Sequence, residues 1–193
     1  MGAQFDAEQK ELLDLLKKLS YRRRKVILSS GRESDFYIDC KQTALHPKGA
    51  LLCGRLLVRA IREATAKDEQ PVEAVGGPTL GADPLATSAA IASLDGKPLF
   101  AFIIRKEPKK HGTAQWIEGA DNLREGMRVA VVEDVVTTGA STISAVEKAE
   151  AAGLVVSVIL CLVDREEGGR EAIEAKGYRV VPLFRKRDFE ESK

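Results

Sequence analysis

Two adjacent carboxylates, Glu133 and Asp134, follow the apolar run 129–132 and precede a turn of small and hydroxyl-bearing residues at 137–141. A helix is predicted to begin at about Ile143. Backbone N–H groups at a helix N-terminus point at a bound anion, and the helix dipole favours it. The turn is therefore typical of a phosphate cradle, and the acidic pair beside it suits the two hydroxyls of a ribose. Together they indicate a site for a ribose 5-phosphate.

Two other interpretations of this segment are weaker. It has neither the GxxxxGK[ST] pattern of a Walker A loop nor the GxGxxG pattern of a dinucleotide-binding turn. A polar pair can also simply end a strand, but two carboxylates followed by a hydroxyl-rich turn favour a functional site. Thr137, Thr138 and Ser141 can donate hydroxyls to phosphate oxygens, and Gly139 permits close backbone approach or a positive φ.

A dense cationic cluster follows a second predicted strand. Four lysine or arginine residues and one histidine fall within positions 105–111, directly after the apolar run 99–104. Such a run is often only a solvated loop. Its place at the end of a strand instead indicates anionic chemistry, because a leaving group needs positive charge where its negative charge develops. Residues 112–119 contain little that would fix a structure, so we expect a mobile lid.

Two further polar segments also follow predicted strands. The turn 76–81, Gly-Gly-Pro-Thr-Leu-Gly, is by itself typical of a simple turn, but before a helix it can present backbone N–H groups to an anion. Asp164 and Arg165 follow the β-branched run 154–163, and a local salt bridge is the alternative there. A planar guanidinium can also bind a carboxylate or paired ring acceptors through two parallel hydrogen bonds.

The strands before these segments alternate with helices. The predicted strands are 72–75, 99–104, 129–132, 154–163 and 178–184. The predicted helices between or before them are 47–63, 85–92, 143–152 and 170–176. This alternation predicts an α/β fold with a mainly parallel sheet flanked by helices. Ligands in such sheets bind at the carboxyl ends of the strands, so the four segments are expected to lie on one edge of the sheet.

The N-terminal part of the chain has a different pattern. A stripe of leucines predicts a helix over 5–19. The basic run 22–25 is predicted to be a solvated turn. Short strands are predicted at 26–28 and 36–38. These elements suggest a small N-terminal cap on the α/β core.

Length and composition bound the remaining possibilities. A chain of 193 residues fits one domain, here with the cap over 1–45 and the core over 46–193. The net charge of +1 gives no case for a nucleic-acid or membrane partner. No signal pattern or long apolar run is present, so a cytoplasmic location is expected. Reduced core thiols are expected for the three widely spaced cysteines, Cys40, Cys53 and Cys161.

The polar segments together resemble the orotate phosphoribosyltransferase family, a branch of the type I phosphoribosyltransferases. Residues 129–142 are similar to the 5-phosphoribosyl-1-pyrophosphate signature of the superfamily, and 105–112 are similar to the Arg-Lys-Glu-x-Lys-x-His-Gly catalytic loop of the orotate branch. Segments 76–81 and 163–170 match the family's pyrophosphate loop and its Asp-Arg-x-Glu-x-Gly segment. Residues 28–37 resemble its hood motif, Ser-Gly-Arg-x-Ser-x-Phe-Tyr. The resemblance implies the type I phosphoribosyltransferase fold with a small N-terminal hood.

The resemblance also implies a role for each matched residue. The acidic pair Glu133 and Asp134 is expected to hold the ribose hydroxyls. The 5′-phosphate is expected to be wrapped by Val135, Val136, Thr137, Thr138, Gly139, Ala140 and Ser141. The pyrophosphate is expected to contact Gly77, Pro78, Arg105, Lys106, Lys109 and His111, with Lys109 and His111 as catalytic residues. Orotate is expected to contact Tyr37, Thr137 and Arg165.

The implied reaction joins orotate to 5-phosphoribosyl-1-pyrophosphate, giving orotidine 5′-monophosphate and pyrophosphate in pyrimidine biosynthesis. Magnesium is expected as the cofactor, held by substrate and water with no direct protein ligand. A homodimer is expected, in which loop 105–119 reaches the neighbour's site.

Two positions depart from the family pattern. Gly81 occupies a place where many members have a lysine, so the cationic loop is expected to carry more of the pyrophosphate charge. Ser29 occupies a place where some members have a lysine, and the role of that lysine is not carried over to it. Two rival functions share part of the pattern. A purine phosphoribosyltransferase would use the acidic pair but gives no reason for the string 106–111. A non-catalytic regulator that binds RNA or DNA would be expected to show a basic face, against which the near-neutral charge argues.

Overall fold

The computed structural model describes residues 2–27, 33–108 and 116–190. Its strands are β1 (Tyr21–Ile27), β2 (Glu33–Ile38), β3 (Ala74–Pro78), β4 (Phe100–Ile104), β5 (Ile117–Glu118), β6 (Arg128–Val136), β7 (Val155–Asp164) and β8 (Val180–Arg185). Its α-helices are α1 (Gly2–Leu15), α2 (Lys41–Ala44), α3 (Pro47–Ala64), α4 (Ala82–Ala92), α5 (Ala140–Ala151), α6 (Gly169–Glu174) and α7 (Lys186–Glu190). A π-helical turn, Leu16–Ser20, follows α1, and a 3₁₀ turn, Ala120–Asn122, follows β5.

Six of the described strands form one sheet in the order β5-β4-β3-β6-β7-β8. All neighbours in it are parallel except β5, which runs antiparallel to β4 at the edge. The predicted α/β class with a mainly parallel sheet is confirmed. Because crossover helices cover both faces, the inner strands are apolar almost throughout, which is why β6 and β7 could be recognised from the sequence.

The residues of β6 alternate between the two faces of the sheet. Ala130 and Val132 pack into an apolar core with side chains of α1, α3 and α4. Val129 and Val131 pack on the other face, with side chains of α5 and α6. Successive side chains of a strand point to opposite faces. Glu133 and Asp134, the next two residues, therefore leave the strand on opposite sides.

Strands β1 and β2 form a separate antiparallel pair. The basic run 22–25 lies within β1, so the predicted turn there is wrong. Pairing decides this, since Arg22 lies opposite Tyr37 and Arg23 opposite Phe36. The pair packs on α7 through aromatic rings, with centroids 5.1 Å apart for Tyr21 and Phe36 and 5.6 Å apart for Phe36 and Phe189.

Several boundaries differ from the predicted ones. Strand β6 continues through the acidic pair to Val136, and α5 begins at Ala140 rather than Ile143. Neither β5 nor α7 was predicted, because two or five residues are too short for a periodic pattern. Helix α3 begins at Pro47, as predicted for a proline in the first turn. The three cysteines are free and buried, as expected.

Candidate active site

One cleft of about 490 Å³ lies at the carboxyl ends of β3, β4 and β6. Its walls are the β3–α4 turn, the end of β4, the end of β6, the first turns of α5, and Lys41 from α2. Three of the four polar segments that were expected to lie together therefore line this cleft, and the fourth, at Asp164 and Arg165, does not. The sequence-predicted residues in its walls are Pro78, Arg105, Lys106, Glu133, Asp134, Val135 and Ser141.

Glu133 faces the first turn of α5. Its Oε2 accepts hydrogen bonds from the hydroxyls of Ser141, at 3.1 Å, and Thr142, at 3.2 Å. The residue is only 6% exposed. Burial, with the nearby charge of Asp134 as a second cause, raises the pKa of Glu133 to about 8. At neutral pH this carboxyl is therefore mostly protonated.

Asp134 faces the opposite side of the sheet, toward α2 and the β3–α4 turn. Its Oδ2 lies 3.8 Å from the Lys41 Nζ, and its Oδ1 accepts the backbone N–H of Val135 at 2.9 Å. Burial raises the pKa of Asp134 above its ordinary value, and the Lys41 charge is the largest influence that lowers it. The two carboxyls thus have different partners, and the described charges favour Asp134 as the ionised member of the pair.

Glycines occupy the positions where the end of β3 and the β3–α4 turn come closest to β6. A Cβ on Gly77 would overlap the carbonyl oxygen of Val132, and a Cβ on Gly81 would lie 2.5 Å from Cγ of Asp134. The turn is closed by the Thr79 hydroxyl, which donates to Oδ2 of Asp83 at 2.9 Å. Gly77 is buried behind the cleft, and Pro78 forms part of its wall.

The turn between β6 and α5 packs against the start of α6. Gly139 has φ of +80°, and a Cβ there would lie 2.7 Å from the carbonyl oxygen of Gly169, so both conformation and space require glycine. Val136 is buried, Thr137 is half-buried, and Thr138 and Ala140 are exposed. These residues present the α5 N-terminus to solvent beside the cleft, which is the geometry expected of a phosphate-binding turn.

The end of β4 is held by contacts with β5 and α5. Arg105 Nη1 pairs with Glu118 Oε1 at 2.6 Å, and its backbone N–H donates to Trp116 O at 2.8 Å. Lys148 Nζ donates to Arg105 O at 3.2 Å and lies 4.0 Å from the centroid of the Trp116 ring. Lys148 thus contacts the chain on both sides of residues 109–115. Lys109 and His111 lie outside the described residues.

The structure brings Arg165 to the N-terminal strand pair. Its Nη2 donates to Phe36 O at 3.0 Å and pairs with Glu167 Oε1 at 3.0 Å. Its guanidinium carbon lies 5.5 Å from the centroid of the Phe36 ring, and the residue is 7% exposed. Tyr37 is the next residue in β2. Among the described residues, Tyr37, Thr137 and Arg165 are not part of the 490 Å³ cleft. Residues 28–32 of the hood motif lie outside the described part of the chain.

Sequence reasoning missed Lys41, Thr142 and Lys148. Thr142 could have been found, because a second hydroxyl beside Ser141 is part of the same turn. Lys148 lies eight positions after Ala140 on α5, and its contact with Arg105 and Trp116 depends on sheet order. Lys41 comes from the N-terminal part and reaches Asp134 only through the tertiary fold. Neither lysine is part of a local motif.

Curated relatives match the chain over nearly its whole length. The chain is 46% identical to an orotate phosphoribosyltransferase from Sorangium cellulosum, over 98% of this chain and 96% of that protein. It is also similar to the structure of Mycobacterium tuberculosis orotate phosphoribosyltransferase in complex with 5-phospho-α-D-ribosyl 1-diphosphate. That similarity has a TM-score of 0.76 and 40% identity, covering 95% of this chain and 99% of the other.

A more distant structure shares the fold alone. Adenine phosphoribosyltransferase from Leishmania donovani has a TM-score of 0.65 and 21% identity, over 92% of this chain and 80% of that one. These likenesses confirm the expected type I phosphoribosyltransferase fold. No family model matches the chain. Among the described residues, no helix is long and apolar enough to cross a membrane.

Proposed function

We infer the roles of the residues in this cleft from the premise that the chain belongs to the orotate phosphoribosyltransferase family. Its reaction transfers ribose 5-phosphate from 5-phosphoribosyl-1-pyrophosphate to orotate, giving orotidine 5′-monophosphate and pyrophosphate in pyrimidine biosynthesis. The observation that carries the proposal is the arrangement of the acidic pair, which lines the cleft beside the N-terminus of α5.

We assign the ribose hydroxyls to Glu133 and Asp134. Asp134 carries the negative charge of the pair, because Lys41 faces it and Glu133 is mostly protonated at neutral pH. Glu133 holds the first turn of α5 through Ser141 and Thr142. This contact positions the turn 135–141, to which we assign the 5′-phosphate.

We assign the pyrophosphate to the turn at Gly77 and Pro78 and to the cationic segment with Arg105, Lys106, Lys109 and His111. The reaction is a displacement at the anomeric carbon with oxocarbenium-like character, in which negative charge develops on the departing pyrophosphate. Cations placed there in advance stabilise that charge. Lys109 and His111 are assigned as the catalytic residues, on the match of their string to the family loop.

We assign orotate to Tyr37, Thr137 and Arg165. The support is the contact between Arg165 and Phe36, which brings the guanidinium to the strand that carries Tyr37. Orotate is a planar anion that carries its charge on the carboxylate. When its reacting ring nitrogen bonds to the anomeric carbon, the N–H proton passes to solvent, so the protein is assigned no base. Its work is to orient the base against the anomeric carbon.

Magnesium is proposed as the ion that accompanies the pyrophosphate. The acidic pair is compatible with a nearby cation, because burial raises the pKa of both carboxyls and a positive charge close by would oppose that effect. If held by substrate oxygens and water, the ion would neutralise charge on the leaving group. We assign it no direct protein ligand.

The larger organisation is also proposed. The chain forms one domain, with a helix and hood over 1–45 and the core over 46–193. It acts as a cytoplasmic homodimer in which loop 105–119 reaches the neighbour's site. The near-neutral charge supports the absence of nucleic-acid or membrane partners.

The proposed activity is tested by following the loss of orotate absorbance with 5-phosphoribosyl-1-pyrophosphate and magnesium. Parallel reactions contain adenine, guanine or hypoxanthine. We expect turnover with orotate and background rates with the purines. Inactivity with orotate, or comparable turnover of a purine, would contradict the proposal.

A further inference from the structure

We propose that Lys41 binds the pyrophosphate end of 5-phosphoribosyl-1-pyrophosphate and supplies, from α2, the positive charge that the β3–α4 turn lacks at Gly81. This inference rests on the proposed function of the cleft. It adds a substrate-binding residue that lies outside every segment matched to the family.

The position of the Lys41 ammonium is the first argument. Lys41 lines the cleft together with Arg105 and Lys106. Its Nζ pairs with Asp39 Oδ1 at 2.7 Å and lies 3.8 Å from Asp134 Oδ2. The side chain is 40% exposed, so the ammonium lies where the cleft opens to solvent. Since an ammonium has three donors, the 2.7 Å contact with Asp39 leaves capacity for a phosphate oxygen.

The β3–α4 turn offers the second argument. Gly81 has φ of −65° and ψ of −43°, a conformation open to any residue, so space alone selects glycine there. A Cβ would lie 2.5 Å from Asp134 Cγ. A lysine at position 81 would therefore displace the carboxylate proposed to hold the ribose. Lys41 reaches the same carboxylate from α2 without entering that space.

The third argument is that the backbone beneath Lys41 is fixed. The adjacent Cys40 is fully buried, and the Asp39 N–H donates to Ser20 O at 3.1 Å. The hydroxyls of Ser20 and Thr43 form a buried hydrogen bond of 2.7 Å. Asp39, the partner of the ammonium, is itself held by Gln42 Nε2 at 3.2 Å. The ammonium is thus placed in advance, which lowers the entropic cost of binding an anion.

The test compares Lys41→Gln with Lys41→Arg and with Lys48→Gln. Lys48 pairs with Glu11 and is not part of the cleft wall, so its variant controls for the loss of one lysine. Dissociation constants are measured by calorimetry for 5-phosphoribosyl-1-pyrophosphate and for orotidine 5′-monophosphate, which shares the ribose phosphate but lacks the pyrophosphate. Thermal melting reports whether each variant folds.

We expect Lys41→Gln to weaken 5-phosphoribosyl-1-pyrophosphate binding about tenfold to a hundredfold, as for a lost charge-assisted hydrogen bond. Binding of orotidine 5′-monophosphate should stay within about twofold, and Lys41→Arg should restore most of the affinity. The proposal would be overturned if Lys41→Gln left the affinity for 5-phosphoribosyl-1-pyrophosphate unchanged, or if it lowered the affinity for both ligands equally. If the wild-type protein neither binds the diphosphate nor turns over orotate, the proposed function itself fails, which is a separate result.

Discussion

At the end of β6, two neighbouring carboxyls lie on opposite sides of the sheet and have different contacts. On the α5 side, Glu133 is buried and accepts hydrogen bonds from Ser141 and Thr142. On the α4 side, Asp134 faces the Lys41 ammonium and the bare backbone of Gly81. The strand's twofold alternation separates two residues that are adjacent in the sequence.

The difference shows that an acidic pair is not necessarily a doubly charged site. Burial raises the pKa of both carboxyls, but the nearby Asp134 charge adds to this effect at Glu133 and the Lys41 charge opposes it at Asp134. We therefore propose that Asp134 is the charged ligand of the ribose hydroxyls, and that Glu133, mostly neutral, both faces the ribose and braces the turn assigned to the phosphate. The predictions below test this division.

The largest effect is expected at the charged member. Asp134→Asn should lower kcat/KM for 5-phosphoribosyl-1-pyrophosphate by about a hundredfold, because charged hydrogen bonds to the ribose are lost. Glu133→Gln should lower it by less than about threefold at pH 7, since one neutral acceptor replaces another. Steady-state kinetics of both variants give the comparison. Equal losses would contradict the division of roles.

The next effect concerns the space beside Asp134. Gly81→Ala should reduce kcat/KM about tenfold, because the new Cβ meets the Asp134 carboxylate. The matched control is the same substitution in an Asp134→Ala background, where the shorter side chain leaves room for it. There the alanine should add little to the loss, as a double-mutant cycle would show. Additive losses would mean that Gly81 acts independently of Asp134.

A smaller effect is expected at Lys148, which extends the α5 side toward β4. Lys148→Met removes the donor to Arg105 O and the cation over Trp116. We expect kcat to fall about threefold to tenfold with little change in orotate KM, since one hydrogen bond that positions Arg105 and Lys106 is lost. Lys176→Met, which changes an exposed lysine in the turn after α6, is the control. A wild-type kcat for Lys148→Met would show that Lys148 does not position Arg105 and Lys106 for the reaction.

The smallest effect on activity and a specific effect on stability are expected at Glu133. Its folded pKa of about 8 lies above the ordinary value of 4.5, so the folded protein retains a proton that the unfolded chain loses. Stability therefore falls as pH rises from about 4.5 to about 8. Glu133→Gln removes this dependence, and its Tm should exceed the wild-type Tm at pH 9 by on the order of 10 °C.

The advantage of Glu133→Gln should shrink as the pH is lowered and disappear below 4.5, where the wild-type carboxyl is protonated in both states. The exposed Glu171→Gln serves as a matched control that removes a carboxylate from α6. Melting curves at several pH values measure both variants. A constant difference between Glu133→Gln and wild type across this range would show that Glu133 titrates normally.

Much of the fold could be predicted because the core strands are apolar on both faces. The runs at β6 and β7 and the helix beginning at Pro47 were identifiable from local pattern. The edge strand β5 could not be predicted, and neither could the β-strand conformation of Arg22 and Arg23. Both arise from pairing with another segment of the chain. Short elements and paired basic residues have no periodic signal of their own.

The sequence by itself determined the family, the acidic pair, the hydroxyl-rich turn and the cationic string, because each is a contiguous segment placed after a strand. Only the tertiary structure decided how these groups divide their work. It places Glu133 within hydrogen-bonding distance of the Ser141 hydroxyl on α5 and Asp134 beside Lys41. It also shows why residue 81 is glycine, because the Asp134 carboxylate occupies the space that a Cβ would need. The physical reason is that burial and Coulomb interaction depend on through-space neighbours, which for Asp134 lie some fifty to ninety positions away in the chain.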